Sequence, residues 1–113
     1  MVIKLINNQN TSKKVEIHAG LCRQLNKIYE QKNHDYGDSF GKGMAEYGLI
    51  MPVIRLEDKF NRFKKLALNN GEAKVKDESI EDTLLDMANY CLMTYMELQK
   101  ENSGEVNGEI KEK

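Results

Sequence analysis

Apolar residues recur every three or four positions along most of this chain, which is the spacing of one face of an α-helix. We predict a first helix that Thr11 or Ser12 caps and that runs to about residue 32. Its apolar face comprises Val15, His18, Leu21, Cys22, Leu25, Ile28 and Tyr29. Ahead of it, residues 2–6 are predicted to be extended and residues 7–12 to form a polar turn. The alternative is a hairpin that pairs the extended segment with residues 15–17.

The helical pattern stops at residues 33–39, which are rich in Asn, Asp, Gly and Ser. We predict the first loop here, leading into a short helix around residues 44–47. Pro52 suits the first turn of a helix over about residues 51–68, because its missing N–H has no partner there in any case. The apolar face of that helix comprises Val53, Leu56, Phe60, Phe63 and Ala67.

The last helix is predicted over about residues 77–100, with Asp77 or Ser79 as its cap. Its expected core stripe is Ile80, Leu84, Met87, Cys91, Tyr95 and Leu98. The second half is apolar on nearly every side, so we expect this helix at the centre of a homo-oligomeric interface. The alternative is a central helix wrapped by its own chain. The whole pattern predicts a single all-α domain over residues 1–100, a small bundle of three main helices and a short one, followed by a disordered tail over residues 101–113.

Composition narrows the class of protein. The 113 residues carry a formal net charge of −1, which argues against the broad basic surface of a protein that binds duplex nucleic acid. Two cysteines without metal-type spacing indicate a reducing compartment, and we expect them to fill the core. No apolar run has the ~20 residues of a membrane span, and nothing resembles a signal peptide. We therefore expect a cytoplasmic protein, in the host cytoplasm if a phage encodes it.

Acidic residues are stacked on one side of the last helix, where Glu78, Asp82 and Asp86 lie four positions apart. Such like charges repel by a few tenths of a kcal/mol per pair unless Lys, Arg or a divalent cation lies between them. Oxygen ligands of this kind suit Mg²⁺. An antiparallel pairing of the last two helices would bring Glu57 to the same place, which predicts a metal site of Glu57, Asp82 and Asp86. The alternative is a solvated acidic face.

The segment over residues 32–40 places a cation, an amide, an imidazole, two acids and two aromatic rings within nine positions. Rings stack on bases, amides and hydroxyls bind base edges, and lysines bind phosphate, so this density suits a nucleotide. The ligand-binding candidates are Lys32, Asn33, His34, Asp35, Tyr36, Lys42 and Arg62. An ordinary helix connection is the alternative. On the apolar face of the first helix, His18 is expected to be a buried polar group with a satisfied partner.

Three strings together resemble the phage and prophage family called nucleotide modification associated domain 1. They are KNHDYGDSF at residues 32–40, VIRLEDKFNRFKKL at residues 53–66 and DESIEDTLLDMANY at residues 77–90. That family is in turn similar to the MazG-like all-α nucleoside triphosphate pyrophosphohydrolases and the dimeric dUTPases. The resemblance implies an all-α fold and Mg²⁺ held by EExxE and ExxD motifs on two helices, with cleavage between the α- and β-phosphates of a nucleotide.

Mapped onto this chain, the first of those motifs falls on residues 57–61, where Asn61 replaces the third carboxylate. The second falls on Asp86, with Thr83 three positions earlier and Asp82 four positions earlier. The resemblance then implies that Glu78 or Glu81 orients the attacking water. One carboxylate ligand of the metal is thus lost and another is shifted by one position. These changes weaken the expectation of metal-dependent hydrolysis more than the expectation of nucleotide binding.

The expected function is therefore nucleotide binding, and its enzymatic form would be Mg²⁺-dependent hydrolysis of a phosphoanhydride. The first alternative is a non-catalytic binder that sequesters a modified or signalling nucleotide, for example to blunt a host defence. The second alternative is a helical interaction module without a small ligand, whose acidic stripe is solvated surface.

Overall fold

The computed structural model describes residues 2–69 and 79–102, with side chains over residues 10–69 and 79–100. All regular structure in these residues is helical, as the sequence predicts. The helices are α1 (Val2–Tyr36), α2 (Ser39–Tyr47), α3 (Ile50–Leu68) and α4 (Ile80–Asn102). The chain forms two compact units, Met1–Tyr36 and Gly37–Lys113, so α1 makes up the described part of the first and α2, α3 and α4 that of the second.

Helix α1 is longer than its sequence pattern predicts. The expected extended segment at residues 2–6 and the expected turn at residues 7–12 are wrong, because the helix is continuous from Val2 to Tyr36. Asn, Thr and Ser are weak helix formers, but each costs only several tenths of a kcal/mol relative to Ala. A long helix can include such a run, and neither Thr11 nor Ser12 is a cap.

The break between α1 and α2 is narrower than the predicted loop. Gly37 and Asp38 both have positive φ, at 57° and 56°, and α2 begins at the next residue rather than near residue 44. The Asp38 carboxylate accepts a hydrogen bond from the backbone N–H of Gly41 at 3.4 Å. A Cβ on Gly41 would lie 2.7 Å from an Asp38 carboxylate oxygen, so this cap requires a glycine at position 41.

Helices α3 and α4 begin close to where the sequence places them. Pro52 lies buried in the first turn of α3, and Gly48, with φ 74°, ends α2 ahead of it. The hydroxyl oxygen of Ser79 accepts the N–H of Asp82 at 3.1 Å, which confirms Ser79 as the cap of α4. The other predicted cap, Asp77, and residues 103–113 of the predicted tail lie outside the described residues. Glu101 and Asn102, also assigned to the tail, belong to α4.

Packing within the second unit joins α3 to α4, with α2 in contact with both. Met44 and Leu66 are buried apolar residues, and Thr83 and Asn89 are buried polar residues. The predicted core stripes are wrong at several positions. Exposed members of those stripes are Val15, His18, Leu21, Cys22, Val53, Phe60, Ala67, Leu84, Cys91 and Tyr95. Helix α4 therefore turns a partly polar side inward and much of its apolar stripe outward.

Candidate functional site

A salt bridge joins the middle of α3 to the second turn of α4. The Nζ atom of Lys59 lies 3.0 Å from an Oδ atom of Asp86, and the two side chains are 27% and 30% exposed. This lysine therefore supplies a cation that the acidic side of α4 needs, and it comes from a neighbouring helix. Water and small ligands can still reach both groups because neither is fully buried.

Buried polar side chains flank Asp86 on its own helix. Thr83 is only 2% exposed, and its hydroxyl donates a hydrogen bond to the carbonyl oxygen of Ser79 at 2.9 Å. Asn89 is also buried. Residues three apart on a helix are about 60° apart around its axis, so Thr83, Asp86 and Asn89 share one side of α4. We call these three residues together with Lys59 the polar seam.

Two aromatic rings stack where α2 meets α4. The rings of Phe40 and Tyr90 have centroids 6.0 Å apart and planes inclined by 20°. Tyr90 directly follows Asn89 and lies one turn beyond Asp86, so the stacked pair adjoins the polar seam along α4. The seam therefore combines a cation, an acid, an amide and a hydroxyl beside an aromatic contact.

The neighbouring acid, Asp82, belongs to the start of α4. Its carboxylate accepts the hydroxyl proton of Ser79 at 2.8 Å, while its own backbone N–H donates to the same hydroxyl. This reciprocal pair stabilises the first helical turn, where acidic side chains also interact favourably with the helix dipole. One oxygen of Asp82 is thus engaged in capping.

The remaining predicted metal ligand, Glu57, is exposed on α3. Of the two predicted catalytic acids, Glu81 is exposed in the first turn of α4 and Glu78 lies outside the described residues. Over residues 2–69 and 79–102, no three His, Cys, Asp or Glu side chains are grouped so that they could hold a metal ion. The site of Glu57, Asp82 and Asp86 therefore stays a prediction.

The predicted nucleotide contacts are divided between the two units. In the last turns of α1, Asn33 is half-buried, while Lys32, His34, Asp35 and Tyr36 are exposed. An imidazole nitrogen of His34 lies 3.4 Å from a carboxylate oxygen of Asp35. In the second unit, Lys42 is exposed on α2. Arg62 is half-buried on α3, three residues after Lys59.

The predicted roles of His18 and the two cysteines as core residues are wrong. All three side chains are exposed, and the sulfur of Cys22 lies 3.7 Å from the Nδ1 atom of His18 one turn away. An apolar face at helical spacing marks which residues lie together, but it does not establish that a neighbouring helix covers them.

Sequence reasoning also missed Lys59, Phe40 and Tyr90 as site residues. The signal in the sequence was the three-residue spacing of Thr83, Asp86 and Asn89, which places polar side chains along one side of the last helix. The preceding helix carries basic residues near its middle. Lys59, Phe40 and Tyr90 each lie within one of the three strings described above. The polar seam and the aromatic pair beside it therefore fall within the segments that resemble the family.

In the residues that the structure describes, the protein is all-helical and has a half-buried polar seam between α3 and α4. The chain belongs to the nucleotide modification associated domain 1 family, whose model matches residues 32–98. No curated protein and no solved structure matches the chain. Among the described helices, none is both long enough and apolar enough to cross a membrane.

Proposed function

We propose that this protein binds a nucleotide through its phosphate at the polar seam. One observation carries the proposal, namely that the three family strings meet there. Phe40 ends the first string and stacks on Tyr90, which ends the third. Lys59 of the second string pairs with Asp86 of the third. A family described by nucleotide modification favours a nucleotide as the ligand of such a meeting point.

The chemistry of the seam suits an anionic ligand with a polar ring. The ammonium group of Lys59 is partly exposed, so a phosphate oxygen can approach it while Asp86 keeps it in place. Arg62, one turn further along α3, supplies a second cation. In this proposal the amide of Asn89 binds a base or sugar edge, and residues 32–36 and Lys42 remain predicted ligand contacts.

A matched pair of lysine variants tests the proposal. Nucleoside mono-, di- and triphosphates are titrated by calorimetry into the protein, into Lys59→Gln and into Lys65→Gln, which removes another lysine of the same helix. We expect Lys59→Gln to weaken binding at least tenfold, or about 1.4 kcal/mol. Lys65→Gln should change it less than twofold. Equal effects of the two variants would contradict phosphate binding at Lys59.

A double variant separates recognition from folding. Lys59→Gln leaves Asp86 without its ammonium partner, whereas Lys59→Gln with Asp86→Asn replaces the ion pair by two amides. If Lys59 contacts phosphate, the double variant binds as weakly as Lys59→Gln. Recovery of wild-type affinity in the double variant would show that the lysine acts through the fold alone.

Hydrolysis of the bound nucleotide is the second candidate function. It is favoured by Asp86, a partly exposed carboxylate in the seam, with Asp82 one turn earlier on the same helix. Bound Mg²⁺ would neutralise phosphate charge and activate water, with Glu57, Asp82 and Asp86 as its proposed ligands. Glu78 or Glu81 is the proposed catalytic carboxylate that orients the water. Since Lys59 and Asp82's capping bond already engage two of these carboxylates, we expect slow turnover or none.

The hydrolysis candidate is tested by phosphate and pyrophosphate release from a nucleotide panel with Mg²⁺ and Mn²⁺. Rapid release that Asp86→Asn and a chelator both abolish would establish a hydrolase. Binding that survives the chelator, without release, would favour the non-catalytic binder that sequesters a modified or signalling nucleotide. Absence of any binding would favour the interaction module. The proposal also includes assembly with further copies of the chain in the cytoplasm.

A further inference from the structure

An imidazole and a thiol lie next to each other across one turn of α1, outside the polar seam. The Sγ atom of Cys22 is 3.7 Å from the Nδ1 atom of His18, and both side chains are exposed. Helical side chains tilt toward the N-terminus of their helix, so a cysteine four positions after a histidine is carried toward it. Both residues precede residues 32–98, which the family model matches, so neither the family nor the proposed nucleotide site accounts for this pair.

The distance between the two donor atoms suits a bound metal ion. Around tetrahedral zinc, a sulfur at about 2.3 Å and a nitrogen at about 2.1 Å from the metal lie about 3.6 Å apart. The observed separation of Sγ and Nδ1 is 3.7 Å, so a zinc ion can take the place of the thiol proton between them with only a small rotation of either side chain. Because both side chains are exposed, the ion can enter directly from solvent.

The types of donor atom decide which ions fit. Thiolate and imidazole are ligands that zinc prefers, whereas Mg²⁺ prefers oxygen. Within the described parts of the chain no third His, Cys, Asp or Glu joins this pair, so water completes the coordination. Two donors on one helical turn still act together, because binding of the metal to one of them raises its effective concentration at the other.

We propose that His18 and Cys22 form a binding site for a thiophilic divalent cation, Zn²⁺, on the surface of α1. Binding replaces the proton on the Cys22 sulfur by the metal, and that proton is released to solvent. The imidazole of His18 contributes the lone pair of Nδ1, and the metal then links two successive turns of the helix. The polar seam is built from α3 and α4, so this inference does not depend on nucleotide binding.

The two exposed cysteines of the described chain provide a matched pair of variants. Cys91 on α4 has Met and Tyr, rather than histidine, four positions to either side. Cd²⁺, which gives an ultraviolet charge-transfer band when a thiolate binds it, is titrated into untagged protein. We expect Cys91→Ser to leave the Cd²⁺ affinity within twofold of the unmodified protein and Cys22→Ser to weaken it at least tenfold. Equal effects of the two variants would overturn the proposal.

An exchange of two residues tests the imidazole without changing the composition. Gln24 is exposed on α1, two positions after Cys22. The double variant His18→Gln, Gln24→His moves the imidazole about 200° around the helix axis from Cys22. Calorimetry with Zn²⁺ should show binding at least tenfold weaker for this double variant and for His18→Gln alone, while circular dichroism checks that both stay helical. Unchanged Zn²⁺ affinity in the double variant would mean that the thiol binds without the imidazole, which would overturn the paired site.

Competition and proton release test the donor atoms themselves. A large excess of Mg²⁺ should leave the Zn²⁺ affinity of the unmodified protein within twofold, because neither donor is an oxygen. The enthalpy of Zn²⁺ binding should vary with the ionisation enthalpy of the buffer, as it must when the thiol loses its proton. Displacement by Mg²⁺, or binding without proton release, would assign the ion to oxygen ligands elsewhere and overturn the proposal.

Discussion

The acidic side of α4 shows what single residues do in this structure. Asp82 and Asp86 are one turn apart, and each has a different polar partner. Asp82 accepts a hydrogen bond from the cap residue Ser79, and Asp86 pairs with Lys59 from α3. The spacing of four residues predicted that these acids need a cation, and Lys59 on another helix supplies one to Asp86. The Ser79 hydroxyl only hydrogen-bonds Asp82 and leaves its charge in place.

The capping role of Ser79 leads to a prediction about stability. Ser79→Ala removes the oxygen that accepts the Asp82 N–H, and we expect the free energy of unfolding to fall by about 1 kcal/mol. Ser79→Thr keeps the hydroxyl and should stay within about 0.5 kcal/mol of the unmodified protein. Urea denaturation followed by circular dichroism measures both variants. Equal losses would mean that the cap contributes nothing to the stability of α4.

At the scale of helices, the sequence pattern predicted which segments are helical better than it predicted where each helix begins and ends. Helices α3 and α4 were predictable because a proline, a cap residue and strong periodicity all agree there. The start of α1 was not, because a run of Asn, Ser and Thr is compatible with a turn as well as with a helix. The start of α2 depends on Asp38 in the left-handed region and on its bond to Gly41, a contact that residue frequencies do not reveal.

Two glycines, one inside α1 and one that caps the end of α2, should respond oppositely to the same substitution. Gly20 lies inside α1, and its nearest atom to an added Cβ is on Arg23 at 3.6 Å, an ordinary contact. Gly20→Ala should therefore raise stability by up to about 1 kcal/mol. Gly48 has φ 74° and ψ −162°, a region that only glycine adopts readily, so Gly48→Ala should cost about 1–3 kcal/mol. Thermal denaturation measures both variants, and melting temperatures that shift in the same direction would contradict the different backbone roles of the two glycines.

For the molecule as a whole, the pattern predicted the all-helical class but not which side of α4 faces inward. Periodicity groups Leu84, Cys91 and Tyr95 on one side, as expected, yet the side buried against the neighbouring helices contains Thr83 and Asn89. Which side a neighbour covers depends on contacts between distant residues, and these contacts also create the polar seam. The family strings indicated which segments contain the residues of the polar seam. The pairing of Lys59 with Asp86 could be seen only in the three-dimensional structure.

The exposed apolar residues of α4 lead to a last prediction, about the stability of the assembled protein. If two copies bury the exposed apolar residues of α4 together, as the sequence pattern predicts, association stabilises the folded state, and thermal stability must rise with protein concentration. For a chain of this size we expect the melting temperature to increase by about 3 °C for each tenfold rise in concentration. Tyr95→Lys should remove that dependence because its dissociated form unfolds as a monomer, whereas Tyr47→Lys should retain it. Scanning calorimetry over two decades of concentration measures the slope, and a flat profile for the unmodified protein would contradict stabilisation by self-association.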